Sequence, residues 1–225
     1  MSSITQTLPV AARVDARRIG GLAGMVAGPL FLAVVGLLTW SELDYLHGLG
    51  WGYTKGNQVP WPSATALGPH GWVQVVNFAV AGVLLLTFVR AFQGELRGKI
   101  GRAAAWILLV MGAALTLSAF PTDHASVRGH SPNTWHGVLH SIGFVCLALG
   151  SLIAPILVAL ALRRKADWRR VAALSAVVPV VEVLLFFVAP SLFHDAGFTA
   201  YLVTLFGWFA VLGLRLYTEG REYSG

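Results

Sequence analysis

A short segment, residues 120–140, carries four of the chain's seven histidines together with Asp123. Its last two histidines, His136 and His140, are four residues apart, so a helix places both imidazoles on one face. Two imidazoles at this spacing suit a metal ion, and the Asp123 carboxylate suits a further ligand or a group that orients a ring. The segment therefore predicts a metal site formed by His136, His140 and Asp123. Zinc is the first candidate, and copper or iron would use the same imidazoles.

The histidine pair is predicted to open a helix. Residues 131–133 (Ser-Pro-Asn) form a typical helix start, with Asn133 as the expected N-cap. Because the N-terminal end of a helix dipole disfavours imidazolium, both rings are expected to be neutral, the form that binds a metal or accepts a proton. The zinc-protease pattern His-Glu-x-x-His is absent, since residue 137 is Gly. Haem is an alternative cofactor, in which His70 would pair with one of the two rings from the opposite side.

Polar side chains within apolar runs form a second set of candidates. Glu182 interrupts the run VVPVVEVLLFFVA, about 10 Å from the nearer membrane boundary at 1.5 Å per residue. An intramembrane carboxyl indicates either a proton carrier or a hydrogen-bonded link between two helices. Tyr201 is predicted at a matching depth. At spacings of four and three, polar residues 70, 74 and 77 share one helix face. The predicted outer pocket is lined by His70, Gln74, Asn77, Asp123, His136, His140, Glu182 and Tyr201.

Long apolar runs must position these residues. Hydrophobic residues make up 56% of the 225-residue chain, and charged residues only 12%, about half the roughly 25% typical of soluble domains. Six segments reach the about 20 residues needed to cross a bilayer. We therefore predict an all-α polytopic membrane protein, a six-helix bundle within residues 19–217 between tails 1–18 and 218–225. The predicted spans are 19–40, 71–92, 102–120, 136–162, 171–189 and 198–217.

The basic residues predict an orientation. All of the 16 Lys and Arg residues except Lys55 and Arg128 fall on one side of the predicted spans. By the positive-inside rule, both termini are expected in the cytoplasm of a cell with a bacterial-type plasma membrane. All seven histidines then fall at the outer side. Topology and lipid headgroups account for the net charge of +6, so membrane lipids are the expected partners and nucleic acid is not.

Small residues predict a close helix contact. Gly20, Gly24 and Gly28 form a stripe at intervals of four in the first predicted helix, and such stripes let another helix approach closely. The stripe indicates a packing seam within the bundle or, alternatively, a contact between two copies of the chain. The single cysteine, Cys146, excludes an intrachain disulfide and a cysteine-rich metal site.

The connection between the third and fourth predicted helices resembles a known family. The motif FPTD at residues 120–123, followed by His136-Gly137 and His140, is similar to the bacterial membrane family called domain of unknown function 998. The resemblance covers most of the chain and implies six helices with a cytoplasmic N-terminus, but no activity. More distantly, an aspartate with several histidines near one membrane face is similar to the metal-dependent membrane hydrolases related to alkaline ceramidases. Those hydrolases have seven helices, one more than this chain.

Three functions are compatible with these patterns, with or without enzymatic activity. The first is a metal-dependent, lipid-directed hydrolase with Asp123 and Glu182 as candidate catalytic residues and the histidine pair as metal ligands. The second is a small transporter or proton-relay protein that uses Glu182. The third is a non-catalytic membrane partner or assembly factor.

Overall fold

The structure, a computed structural model, describes residues 10–49, 61–127, 130–188 and 196–222. Within these ranges the chain forms helices and no strand, and six helices are long and apolar enough to cross a membrane. The predicted all-α, multi-pass fold is therefore confirmed. Lys55, Arg128 and His194, which entered the orientation argument, lie outside the described residues. The six helices are α1 (Val10–Ser41), α2 (Gly71–Phe92), α3 (Gly98–Leu117), α4 (Trp135–Leu162), α5 (Arg169–Val183) and α6 (Ala196–Glu222).

Short elements lie between the spanning helices. A helix at Leu43–Gly48 and a 3-10 helix at Pro62–Leu67 follow α1, and a single helical turn at His124–Val127 lies between α3 and α4. The 3-10 turn Ala166–Trp168 precedes α5, and the π-helical turn Leu184–Val188 continues it.

α1 and α6 extend furthest beyond their predicted apolar spans. α1 begins at Val10, nine residues before the expected boundary at 19, and α6 continues to Glu222 rather than to 217. Hydropathy marks the part of a helix that suits lipid, whereas the helix itself continues through residues with good helix propensity such as Ala and Arg. Charged residues of the two extensions pair with each other, since Arg17 Nη1 of α1 lies 3.8 Å from Glu219 Oε2 of α6.

The six helices form a closed ring. Each helix packs against the next one in the chain, and α6 packs against α1. Because successive helices alternate in direction, their ends collect at two faces. We call the face with the α3–α4 connection the histidine end, and the face with the α2–α3 and α4–α5 connections the arginine end.

Glycines allow the closest approaches in this ring. A Cβ on Gly20 would overlap Ala91 of α2, and one on Gly28 would overlap Phe206 of α6. A Cβ on Gly24 would lie 2.7 Å from the Phe88 ring. The stripe on α1 is thus covered by α2 and α6 of the same chain. The outer surface of the ring is also apolar, with many exposed Leu, Val, Ile and Trp side chains, as expected for a surface that faces lipid.

Candidate functional site

Asp123 organises the connection between α3 and α4. Its Oδ1 accepts hydrogen bonds from the Ser126 backbone N–H (2.8 Å) and hydroxyl (2.9 Å). Its Oδ2 accepts from the Asn133 N–H (2.9 Å), the Thr134 N–H (3.2 Å) and the Thr134 hydroxyl (3.1 Å). The residue is only 6% exposed. Both carboxylate oxygens are therefore used to join the start of the connection to its end.

These hydrogen bonds determine the charge of Asp123. Burial alone would raise the pKa of this carboxyl, but the hydrogen bonds from Ser126, Asn133 and Thr134 outweigh it and hold the pKa well below its usual range. The carboxylate is therefore ionised at neutral pH. A group in this state stabilises the α4 N-terminus through the helix dipole. The geometry thus gives Asp123 a structural role.

The N-cap of the helix that carries the histidine pair lies one residue later than predicted, although the helix itself begins at Trp135, one residue before the predicted span. Thr134, not Asn133, is the N-cap, because its hydroxyl oxygen accepts a hydrogen bond from the Gly137 N–H at 3.1 Å. The prediction of Asn133 is wrong because Asp123 Oδ2 accepts the backbone N–H groups of both Asn133 and Thr134, which holds Thr134 at the position just before the first helical turn. Gly137 is required by the same arrangement, since a Cβ there would overlap Asp123 Oδ2.

The histidine rings close the end of the preceding helix. His136 Nδ1 lies 2.8 Å from the Pro121 carbonyl oxygen, and His140 Nδ1 lies 2.9 Å from the carbonyl oxygens of Ser118 and Phe120. A carbonyl only accepts, so Nδ1 carries the proton in both rings, and a neutral ring then has its lone pair on Nε2. The rings therefore satisfy carbonyls left free where α3 ends.

The structure brings the predicted metal ligands together only in part. Thr134 links Asp123 to His136, because its hydroxyl lies 3.1 Å from Asp123 Oδ2 and 3.2 Å from His136 Nδ1. His140 is buried, and its ring lies edge-on to the Phe78 ring, with 5.6 Å between the ring centroids. In the part of the chain that the structure describes, no three His, Cys, Asp or Glu side chains form a metal-ligand group. Metal binding by Asp123, His136 and His140 stays a prediction.

Glu182 lies in a different part of the bundle. It is 1% exposed, and within the described ranges neither of its carboxyl oxygens has a well-formed hydrogen bond. Ser151 of α4 and Tyr201 of α6 are its polar neighbours. These two residues are joined to each other, with 3.1 Å between Ser151 Oγ and Tyr201 Oη. Glu182, Ser151 and Tyr201 thus form a small polar cluster, and the depth of Glu182 and Tyr201 in the membrane stays a prediction.

The remaining predicted pocket residues form two further groups. Asn77 donates from Nδ2 to the Phe31 carbonyl oxygen (3.1 Å) and to Gln74 Oε1 (3.2 Å), which connects α2 to α1. His70 contacts Glu42, whose Oε1 accepts the His70 backbone N–H at 2.7 Å and lies 3.2 Å from Nδ1. The eight predicted residues are therefore distributed over separate hydrogen-bonded groups.

Sequence reasoning missed the role of Glu42. This residue is 4% exposed and directly follows α1. Gly68 leaves the space that its carboxylate occupies, since a Cβ on Gly68 would overlap Glu42 Oε2. A carboxyl beside an apolar run, at the point where a spanning helix ends, was the signal that could have identified it.

The comparison with protein families identifies the chain. The family described as "Protein of unknown function (DUF998)" matches residues 62–217. The chain belongs to the DUF998 family. A search of curated proteins and a search of solved structures found no match. The DUF998 match contains the Asp123 connection, the histidine pair and Glu182, and it begins after α1. The family resemblance predicted from the FPTD and His-Gly motifs is confirmed.

Proposed function

We infer that this DUF998 protein moves protons, or a solute together with protons, through its six-helix bundle, and that the Glu182 carboxyl carries the proton. One observation supports this function above the others. Glu182 is 1% exposed, and neither of its oxygens is held by a well-formed hydrogen bond in the described ranges. Asp123, in contrast, has both oxygens occupied by fixed donors. A proton carrier requires a carboxyl that is free to gain and lose its proton.

The neighbours of Glu182 supply a short path for that proton. Ser151 donates its hydroxyl proton to the Ala148 carbonyl oxygen at 2.8 Å, so Tyr201 is the donor in the Ser151–Tyr201 contact. The Ser151 oxygen keeps a second lone pair, which is placed to accept from a protonated Glu182. Ionised carboxylates are costly in such surroundings, so the proton leaves only when a partner or water reaches the site. The cluster joins α4, α5 and α6.

The helix that carries Glu182 is irregular on both sides of it. Pro179 removes a backbone donor three residues before Glu182, and the π-helical turn Leu184–Val188 begins two residues after it. Both features weaken the regular hydrogen-bond pattern of a helix and are frequent at functional sites. They support movement of α5 that opens Glu182 to one side of the membrane.

The distribution of charge supports an orientation for this transport. The arginine end carries the basic residues of the tails and of the two connections that follow α2 and α4. The positive-inside rule then directs both termini to the cytoplasm and the histidine end to the outer face of the plasma membrane. Glu182 lies six residues before the end of the π-helical turn, about 9 Å along the helix, so its nearer access is from the outer face.

Proton flux in liposomes tests the proposal. Purified protein is reconstituted with a trapped pH-sensitive dye, and a potassium gradient with valinomycin drives proton entry. We expect acidification above that of empty liposomes, and Glu182→Gln, which keeps size and polarity, reduces it to background. Ser175→Ala is the matched control, because Ser175 is a buried polar residue on the same helix that bonds to Trp208 instead. Wild-type flux equal to empty liposomes, with and without candidate solutes, would reject the proposal.

A metal-dependent, lipid-directed hydrolase at Asp123, His136 and His140 is the second candidate. The observation that favours it is the orientation of both rings, whose Nδ1–H groups bind carbonyls and whose Nε2 atoms carry the lone pairs that a metal requires. Elemental analysis of the wild type beside a His136→Ala/His140→Ala double variant tests it. Near-stoichiometric zinc that the variant loses would support the site, and no metal after loading would reject it. Absence of both flux and metal would favour a non-catalytic membrane partner.

A further inference from the structure

A polar cavity of about 380 Å³ opens at the arginine end, opposite the histidine end. Four cationic side chains from separate elements line it: Arg17 from α1, Arg97 from the α2–α3 connection, Lys165 from the α4–α5 connection and Arg215 from α6. The volume lies at the lower end of the range for small-molecule sites, about 300–1,000 Å³. The whole set of elements at this end therefore contributes to one concave surface.

Buried acids hold some of these cations in place. Glu95, 6% exposed, pairs with Arg17 through Oε1 and with Lys165 Nζ at 2.9 Å through Oε2. Glu219 Oε1 lies 3.2 Å from an Arg215 nitrogen, and its Oε2 lies 3.8 Å from Arg17. The exposed Asp167 also lines the cavity, so three acidic and four basic side chains give the cavity lining a net charge of +1. The acids fix the geometry of the cationic groups without cancelling their charge.

Several donors that line the cavity have no acceptor among the described residues. The buried Nε–H of Arg215 has no hydrogen-bond partner in the described part of the chain, and its guanidinium lies 5.9 Å from the Trp168 ring centroid. Lys165 Nζ uses two of its three protons, on the Glu95 carboxylate and on the Glu95 carbonyl oxygen at 2.7 Å. Arg97 is exposed, and no acid of the described residues pairs with it. A buried donor left without an acceptor is costly, which applies to the Arg215 Nε–H, whereas the donors of Arg97 and the third proton of Lys165 are accessible to an anion that enters the cavity.

We propose that this cavity binds a phosphate-bearing anion. Guanidinium groups present paired N–H donors that match phosphate oxygens, and a lysine ammonium adds a point charge. The Trp168 side chain forms an apolar floor under Arg215. The position at a membrane face gives two sources of the same chemistry, the phosphate of a lipid headgroup and free phosphate from the aqueous side. The site is separate from Glu182 and does not depend on the transport function.

Two binding experiments test the proposal and separate the sources. Full-length protein in phosphate-free detergent is titrated with inorganic phosphate, and binding is followed by calorimetry and by the thermal unfolding midpoint. In parallel, nanodiscs of phosphatidylcholine with or without phosphatidic acid are compared for their unfolding midpoints. Stabilisation by inorganic phosphate assigns the site to a soluble anion. Stabilisation by phosphatidic acid alone assigns it to a lipid headgroup.

Matched arginine variants make the test specific. Arg97→Ala removes a cavity cation that pairs with no acid of the described residues, and it is expected to weaken binding about tenfold, roughly 1.4 kcal/mol. Arg215→Ala is expected to weaken binding further. Arg164→Ala removes an exposed cation at the same end outside the cavity and is expected to leave binding unchanged. No stabilisation by either ligand, or equal losses in Arg97→Ala and Arg164→Ala, would overturn the proposal.

Discussion

Replacing Asp123 by Asn is expected to destabilise the protein severely, although it changes one oxygen to an NH₂ group. The carboxylate accepts from Ser126 on one oxygen and from Asn133 and Thr134 on the other. An amide oxygen can serve only one of these two sides. If it stays with Ser126, the new NH₂ group faces two backbone N–H donors that have lost their acceptor.

The size of the effect follows from these lost bonds. A buried donor without a partner costs about 1–3 kcal/mol, so two such donors cost about 4 kcal/mol. For a chain of this length, 1 kcal/mol changes the melting temperature by about 2–4 °C, so Asp123→Asn is expected to lower it by about 10 °C. Thermal unfolding in detergent, followed by circular dichroism, measures the change.

A second acid at the same end of the bundle provides the control. Asp44 is exposed in the short helix after α1, and Asp44→Asn is expected to leave the melting temperature nearly unchanged. Equal melting temperatures for the Asp123→Asn and Asp44→Asn variants would refute the structural role of Asp123. A variant of Asp123 that melts normally but loses bound zinc would instead support the metal site.

Three other predictions concern the same connection. Gly137→Ala adds a Cβ that overlaps Asp123 and should lower the free energy of unfolding by about 1–3 kcal/mol. Its control is Gly36→Ala in α1, where the new Cβ meets open space and should raise the free energy of unfolding by up to about 1 kcal/mol. Thr134→Ala removes the N-cap of α4 and should lower the free energy of unfolding by about 1–2 kcal/mol. Asn133→Ala should lower it little, because Asn133 contributes only its backbone N–H. Chemical denaturation of the two pairs of variants measures these differences. The folded-state pKa of Asp123 is depressed, so its stabilisation is complete above about pH 4 and is lost as pH falls below that value. Melting curves against pH should therefore show wild type and Asp123→Asn converging only in acid, and a constant difference would contradict this.

The membrane architecture was predictable because the signal is local. The length of each apolar run and its lack of charge determine whether it crosses a bilayer, and all six spans were found in this way. Helix ends were less predictable. α1 continues outward to Val10, and Arg17 in this extension forms an ion pair with Glu95. A hydropathy profile contains no information about such ion pairs.

The sequence singles out the residues of the candidate site, but it does not predict their contacts. Glu182 stood out because a carboxyl in an apolar run is conspicuous, yet its neighbours Ser151 and Tyr201 come from other helices. Asp123 was assigned chemistry from its residue type, whereas its bonds go to backbone N–H groups ten and eleven residues away. The cavity at the arginine end depends on Arg17 and Glu95, which are 78 residues apart. No local pattern predicts such a pair.

The closure of the ring by α1 and α6 has a consequence for biosynthesis. α1 is synthesised before α6, with four other spanning helices between them. Until α6 enters the membrane, the part of α1 that meets Phe206 and Gly213 has no partner. The α1–α6 seam therefore forms after the contacts among α1 to α5, and together with the α5–α6 contact it completes the bundle. A chain that stops before α6 would leave this glycine-lined face of α1 uncovered.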